Sequence, residues 1–117
     1  MQGRRVDRIE EQLRIELSEI LEREVQDPRV RFVTVTHVKV SPDLRNARVF
    51  ISALGGVEDR KKILQGLRSA SSYTRRSLGQ RLHHLRRIPE LTFDYDDTLE
   101  KEMRIEQLLD QIKTEHE

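Results

Sequence analysis

The chain has 117 residues, a formal net charge of +1, a charged share of 37% and a hydrophobic share of 35%. That predicts one domain with a thin core of two layers at most, since ordinary globular chains are only about 25% charged. The absence of cysteine excludes disulfides and thiolate metal sites. No apolar run approaches the roughly 20 residues of a membrane span, and the N-terminus lacks the apolar stretch of a signal peptide, so a cytosolic protein with no membrane partner is expected.

The first predicted element is a helix from Arg4 to Gln26. Val6, Ile9, Leu13, Leu17, Ile20, Leu21 and Val25 recur at helical spacing. The opposite face alternates Arg and Glu and reads as plain solvated surface. Asp27-Pro28 stops the helix, because the residue before proline avoids the α region. Val30 to Ser41 is rich in Val and Thr and reads as a strand. Val33 and Val35 fall on one face and Val38 and Val40 on the other, so a bulge is expected near Thr36–His37. Ser41-Pro42-Asp43-Leu44 is turn chemistry. Asn46 to Leu54 follows as a second strand, antiparallel to the first, with Ala47, Val49, Ile51 and Ala53 facing one way. Phe50 points the other way. On some RNA-binding sheets such an aromatic stacks a base; the other reading is contact with another element.

Gly55-Gly56 breaks that strand but is no phosphate loop, since no Gly-Lys-Ser/Thr follows. Residues 60–89 then carry nine basic residues and no acidic one, against 10 basic and 11 acidic in 1–59 and three basic and ten acidic in 90–117. A basic segment beside an acidic tail suggests a nucleic-acid partner. The segment reads as two helices. In the second, Tyr73 to Arg87, an apolar face holds Thr74, Leu78, Leu82 and Leu85. The opposite face holds Arg76, Gln80, His83 and Arg87, and Arg75, Gly79 and Arg86 line one flank. A face of one sign repels itself unless an anion sits against it. Arg68, Arg75, Arg76, Gln80, His83, Arg86 and Arg87 are therefore the candidate RNA-binding residues, with a solubilising surface as the plainer reading.

A break between the two helices is expected at Ser69–Ser72. One unbroken helix from Asp59 to Arg87 spans about 43 Å, more than the roughly 35 Å diameter of a compact chain of this size. Serine hydroxyls offer the backbone other hydrogen bonds and bend helices. The kink residues are Ala70, Ser71 and Ser72, and a helix starting near Tyr73 would present free N–H groups to a phosphate. Ile88-Pro89 ends the pair. Leu91, Phe93 and Tyr95 alternate as a third strand, and Leu99 to Ile112 forms a terminal helix.

No catalytic constellation is present, so the protein is not expected to be an enzyme and no cofactor is implied. His83 and His84 diverge by about 100° on a helix, and His37 and His116 lack evident partners. Asp94, Asp96 and Asp97 have no fixed ligand spacing, so no metal site is read there.

These residues resemble the ribosome-binding factor A family over roughly residues 4–113. The resemblance rests on Arg5-Val6, Asp27-Pro28-Arg29, the run Val38 to Leu44 followed by Ala47 and Val49, and Ile105, Leu108 and Leu109. Its most specific part is Ala70, Tyr73, Arg75, Leu78, Gly79, Leu82, Arg86, Pro89-Glu90-Leu91 and Phe93. The family has an Ala-x-Gly signature at the kink, where this chain has Ala70-Ser71-Ser72. The resemblance implies an α+β, type II KH-like domain in the order α-β-β-α-kink-α-β. It has a three-stranded sheet with helices on one face, over residues 1–97, and an acidic C-terminal helical tail over 98–117. It further implies a cytoplasmic binding protein, expected as a monomer, that binds 16S rRNA in the free 30S subunit. Such a protein acts in late subunit maturation, supporting 16S rRNA 5′-end processing and growth after cold shock. Two alternatives stand beside it: a sequence-tolerant DNA binder, and a module whose basic face meets an acidic protein partner.

Overall fold

A computed structural model describes residues 2–54, 57–98 and 107–112. Helix α1 (Gln2–Arg23) carries the predicted stripe. Ile9, Leu13, Leu17, Ile20 and Leu21 are buried. It ends three residues before the expected Gln26. The N–H groups of Glu24 and Val25 both reach the Ile20 carbonyl, at 2.9 and 3.1 Å, which closes the last turn wide. Pro28–Val30 then forms a 3-10 turn where strand was expected. Asp27 caps it by accepting from the Arg29 N–H at 3.0 Å, and Pro28 presets the backbone for the first helical position. The first strand accordingly starts at Val33, not Val30.

Strands β1 (Val33–Val40) and β2 (Asn46–Ala53) form the predicted antiparallel hairpin. Their register shifts between Val35 and His37, the expected bulge. It brings both Val35 and Val38 to the buried face. In the hairpin turn the Leu44 N–H donates to the Ser41 carbonyl at 2.8 Å with Leu44 at φ 61°, a left-handed position that leucine rarely takes.

Helices α2 (Val57–Ser69) and α3 (Ser71–Arg81) form the crossover that a parallel partner strand requires. Strand β3 (Glu90–Tyr95) pairs parallel to β2, from Asn46 opposite Glu90 to Ile51 opposite Tyr95. The sheet order is β1-β2-β3. The helices cover one face. Leu13, Leu17 and Ile20 of α1 meet Val35, Val38, Val49, Ile51 and Phe93 of the sheet, and Leu67, Leu78 and Leu82 complete the cluster. This is the α+β, type II KH-like architecture. Residues 107–112 are helical, with Leu108, Leu109 and Ile112 exposed. Gly55–Gly56, expected to break β2, and Met103, Ile105 and His116 lie outside the described residues.

The expected second helix of the pair, Tyr73 to Arg87, is shorter than predicted. Helix α3 stops at Arg81, and Leu82 leaves helical geometry at φ −115°, ψ 48°. The chain must return to start β3, where the Glu90 N–H donates to the Arg45 carbonyl at 2.8 Å. Six more residues of helix would carry it about 9 Å onward along the α3 axis. The return is held by Arg75, whose guanidinium donates to the carbonyls of Ile88 and Pro89 at 3.0 and 3.1 Å.

Leu78 is fully buried and ties α3 to both layers. Leu78→Ala removes that contact and leaves a cavity. Unfolding in urea should show about 2–5 kcal/mol lost; a loss below 1 kcal/mol would mean α3 is not part of the core.

Candidate nucleic-acid interface

The break between α2 and α3 falls at Ala70, inside the expected Ser69–Ser72. Ala70 sits at φ −85°, ψ −2°, between helical and extended backbone. The two helices share it: its N–H donates to the Gly66 carbonyl at 3.0 Å and its carbonyl accepts from the Thr74 N–H at 2.9 Å. The Thr74 hydroxyl donates to the same carbonyl at 2.8 Å. Thr74 is fully buried, so this bond is shielded from water and fixes the first turn of α3. Ser71 and Ser72 lie in that turn, so α3 begins two residues before the expected Tyr73, and no side chain caps it. On α2, Gly66 allows a close approach: a Cβ there would lie 3.0 Å from the Arg29 Cβ and 3.1 Å from Val30 Cγ1.

The basic residues of the pair fall into two groups. Arg81 is turned inward against α1. Its guanidinium meets Glu16 at 2.9 Å and Glu19 at 3.3 Å through Nη1, and donates from Nη2 to one oxygen of Glu24. Those three carboxylates hold its proton still more tightly than usual. Glu24 also accepts from the Tyr73 hydroxyl at 2.8 Å and the Ser77 hydroxyl at 3.0 Å. The Tyr73 bond first, then Ser77 and Arg81, lower its carboxyl below the ordinary value against the opposing effect of burial. The polar face of α1 is therefore not the plain solvated surface its alternation suggested: Glu16, Glu19 and Glu24 form the seat of α3. Arg75 is likewise committed, to the two loop carbonyls and to Glu90 at 3.3 Å.

The second group faces outward. Arg68 on α2 and Arg76 and Gln80 on α3 are exposed. His83, Arg86 and Arg87 are exposed too, on the return loop and not on a helical face as expected. His83 and His84 diverge, their rings 6.4 Å apart at 81°. Among the described residues, Arg68, Arg76, Arg86 and Arg87 form no ion pair. Of the seven candidate RNA-binding residues, six from the helical wheel and Arg68 from the preceding helix, the structure thus brings six to open surface and turns Arg75 to holding the loop. Arg81, which the wheel left unassigned, is the residue on which their placement depends. No signal on α3 itself marks it out; the marker is the set of glutamates on α1.

Asp94 near the end of β3 and Asp96 and Asp97 just after it are each paired. Asp94 meets Arg48 at 2.6 Å, Asp97 meets Arg60 at 3.3 Å, and Asp96 meets His37 at 3.2 Å and the Thr36 hydroxyl at 2.7 Å. Hydrogen bonds from Thr98 and Thr36 hold the Asp96 carboxyl down at about 2. His37 thus has partners that the sequence did not reveal. On the sheet's uncovered face its ring also stacks on Phe50, with centroids 4.2 Å apart at 15°.

The family model for ribosome-binding factor A matches residues 5–109. A ribosome-binding factor A from Halothermothrix orenii is 44% identical over 117 residues, covering all of this chain and 95% of that one. The crystal structure of ribosome-binding factor A from Thermus thermophilus superposes with a TM-score of 0.68 at 29% identity, over 77% of this chain and 94% of the other. A homology model of the Thermus thermophilus factor, fitted into the cryo-EM map of its complex with the 30S subunit, gives 0.62 at 29% identity, over 76% and 92%.

Two predictions separate the inward and outward arginines. Arg81→Gln should cost about 1–3 kcal/mol of unfolding free energy, because it takes the α3 cation from Glu16, Glu19 and Glu24 together. Arg76→Gln should stay within about 0.5 kcal/mol, as surface changes do. Equal effects in chemical denaturation would remove the distinction. The Glu24 carboxyl is lowered in the fold, so its contribution is present above its unfolded value of 4.5 and lost as pH falls through the folded one. Stability should therefore decline below about pH 4.5, and less steeply in Tyr73→Phe, which removes the largest of its hydrogen bonds; parallel acid titrations of the two proteins would contradict the assignment.

Proposed function

This chain belongs to the ribosome-binding factor A family, and from that premise we propose that it binds the free small ribosomal subunit during late maturation. Its work there is to support processing of the 16S rRNA 5′ end, the step on which growth after cold shock also draws. The contact is made by the outward side of the helix pair. Arg68, Arg76, Arg86 and Arg87 neutralise rRNA phosphates, Gln80 and His83 add hydrogen bonds between them, and the break at Ala70, followed by Ser71 and Ser72 in the first turn of α3, sets the angle at which α2 and α3 meet the backbone. Arg75 serves the same surface indirectly, by holding the loop that carries Arg86 and Arg87.

The observation that carries this reading is the sorting of the arginines. Cations needed for folding are consumed by Glu16, Glu19, Glu24, Glu90 and loop carbonyls. Those that remain present one sign to the outside, which is stable only beside an anion or in screening salt. The protein acts as a cytoplasmic monomer. Residues 1–97 form the binding domain, and the acidic helical tail, 98–117, lies off the RNA. The function is binding, without a chemical step or cofactor.

Phosphate neutralisation makes affinity salt-dependent, by about 0.7 log units per contact on single strands. Replacing Arg76, Arg86 and Arg87 with Ala should reduce the slope of log K against log salt for purified 30S subunits by about 2, with normal circular dichroism. An unchanged slope in the folded variant would contradict the assignment of these residues.

A further inference from the structure

Among the described residues, no helix lies across the middle of the sheet's outer face, and α2 only borders it at the β3 end. Its outward residues are mostly polar, as a solvated face requires. Phe50 nevertheless points there, half-buried against the ring of His37 directly across the hairpin. A cross-strand ring pair stabilises a hairpin by itself, but that leaves the charges around it unexplained. Lys39 and Arg48 stand opposite each other on β1 and β2 on the same face, both exposed, and like charges so placed repel. Arg48 lies 5.2 Å above the Phe50 ring and leans to Asp94; Lys39 has no anion among the described residues. The acceptors Asp94 and Asp96 border the rings on the β3 side. A groove of about 540 Å³ runs past His37, Phe50 and these two carboxylates and is closed at its β3 end by Arg60 and Leu64 of α2. Cations on one side, flat rings in the middle and carboxylates on the other match the parts of one nucleotide: phosphate, base face and the amino edge of the base.

We propose that this open face is a second RNA-binding surface, on which an unpaired base stacks against the His37–Phe50 pair. Lys39 and Arg48 take the flanking phosphates, and Asp94 and Asp96 accept from the amino groups of the base. The charge layout sets the direction of the strand. Its backbone follows β1 and β2 and stays away from β3, whose outward residues Glu90 and Asp94 are acidic. Arg48 exchanges Asp94 for a phosphate on binding, which frees the Asp94 carboxylate to accept. The proposal rests on the RNA partner argued above and adds a surface on the outer side of the sheet, bordered at its β3 end by Arg60 and Leu64 of α2 and separate from the one that carries Arg68, Arg76, Arg86 and Arg87.

A single-stranded adenine heptanucleotide with a central 2-aminopurine reads base stacking directly, because stacking quenches its fluorescence. Titrated with full-length protein, it should be quenched, and Phe50→Leu, which keeps apolar bulk but loses the ring, should weaken binding about tenfold. Phe50→Tyr should bind as the wild type does. Lys39→Ala should lower the salt slope by about 0.7, while the Arg76, Arg86 and Arg87 triple variant keeps the quench. Should Phe50→Leu not fold, His37→Leu carries the same test. Folded ring variants that quench and bind like the wild type overturn the proposal, as does a wild type that does not quench. Quenching by a protein that does not sediment with 30S subunits leaves this surface standing and removes the subunit reading instead.

Discussion

The contact of Arg81 with Glu16, Glu19 and Glu24 is the constraint on which the helix pair depends. Glu16 and Glu19 on α1 and Glu24 just beyond its end repel one another, and the Arg81 guanidinium from α3 meets all three, with Arg23 adding a longer contact of 3.6 Å to Glu19. The contact is only partly exposed, so water screens it less than a surface pair. Removing one partner costs more than the pair itself is worth, because the other charges stay behind. Tyr73 and Ser77 add hydrogen bonds to the same Glu24, and Leu78 lies buried one residue further on. Together they fix the rotation of α3 about its axis. That rotation decides which arginines look outward.

The break at Ala70 follows from the same requirement. Helix α2 packs against the 3-10 turn through Gly66 and toward β3, while α3 must reach α1. One straight helix cannot satisfy both. The chain bends at a residue whose N–H and C=O each keep a helical partner, so little hydrogen bonding is lost. The buried Thr74 hydroxyl adds a third bond. Ser72 lies within the first turn of α3, and the residue at the break, Ala70, has a negative φ, so the break demands no glycine.

Most of the fold is legible in the sequence, because it is written in local patterns. The α1 stripe, the bulge that reconciles Val35 with Val38, the alternation of Leu91, Phe93 and Tyr95, and the length argument for the break all involve residues near one another in the chain. What is not legible depends on distant partners. The helical wheel sets Arg76 on the outer face and Arg75 on its flank and leaves Arg81 unassigned, yet Arg75 holds loop carbonyls and Arg81 is held by Glu24 and Glu16, 57 and 65 residues away. The end of α3 at Arg81 is hidden for the same reason: Leu85 continues the apolar stripe, and only the return to Arg45 shows why the helix stops. His37 against Phe50 was within reach, since the hairpin register counted back from the Ser41–Leu44 turn places them opposite each other.

Folding sorts the arginines from Arg68 to Arg87 into seated and presented ones. Arginine-selective labelling with phenylglyoxal, read residue by residue by mass spectrometry with and without 30S subunits, tests it directly. The account predicts slow labelling of Arg75 and Arg81 in both states. It predicts fast labelling of Arg68, Arg76, Arg86 and Arg87 in the free protein and protection of these four on the subunit. Rapid labelling of Arg81 in the free folded protein, or undiminished labelling of the four in the complex, would contradict it.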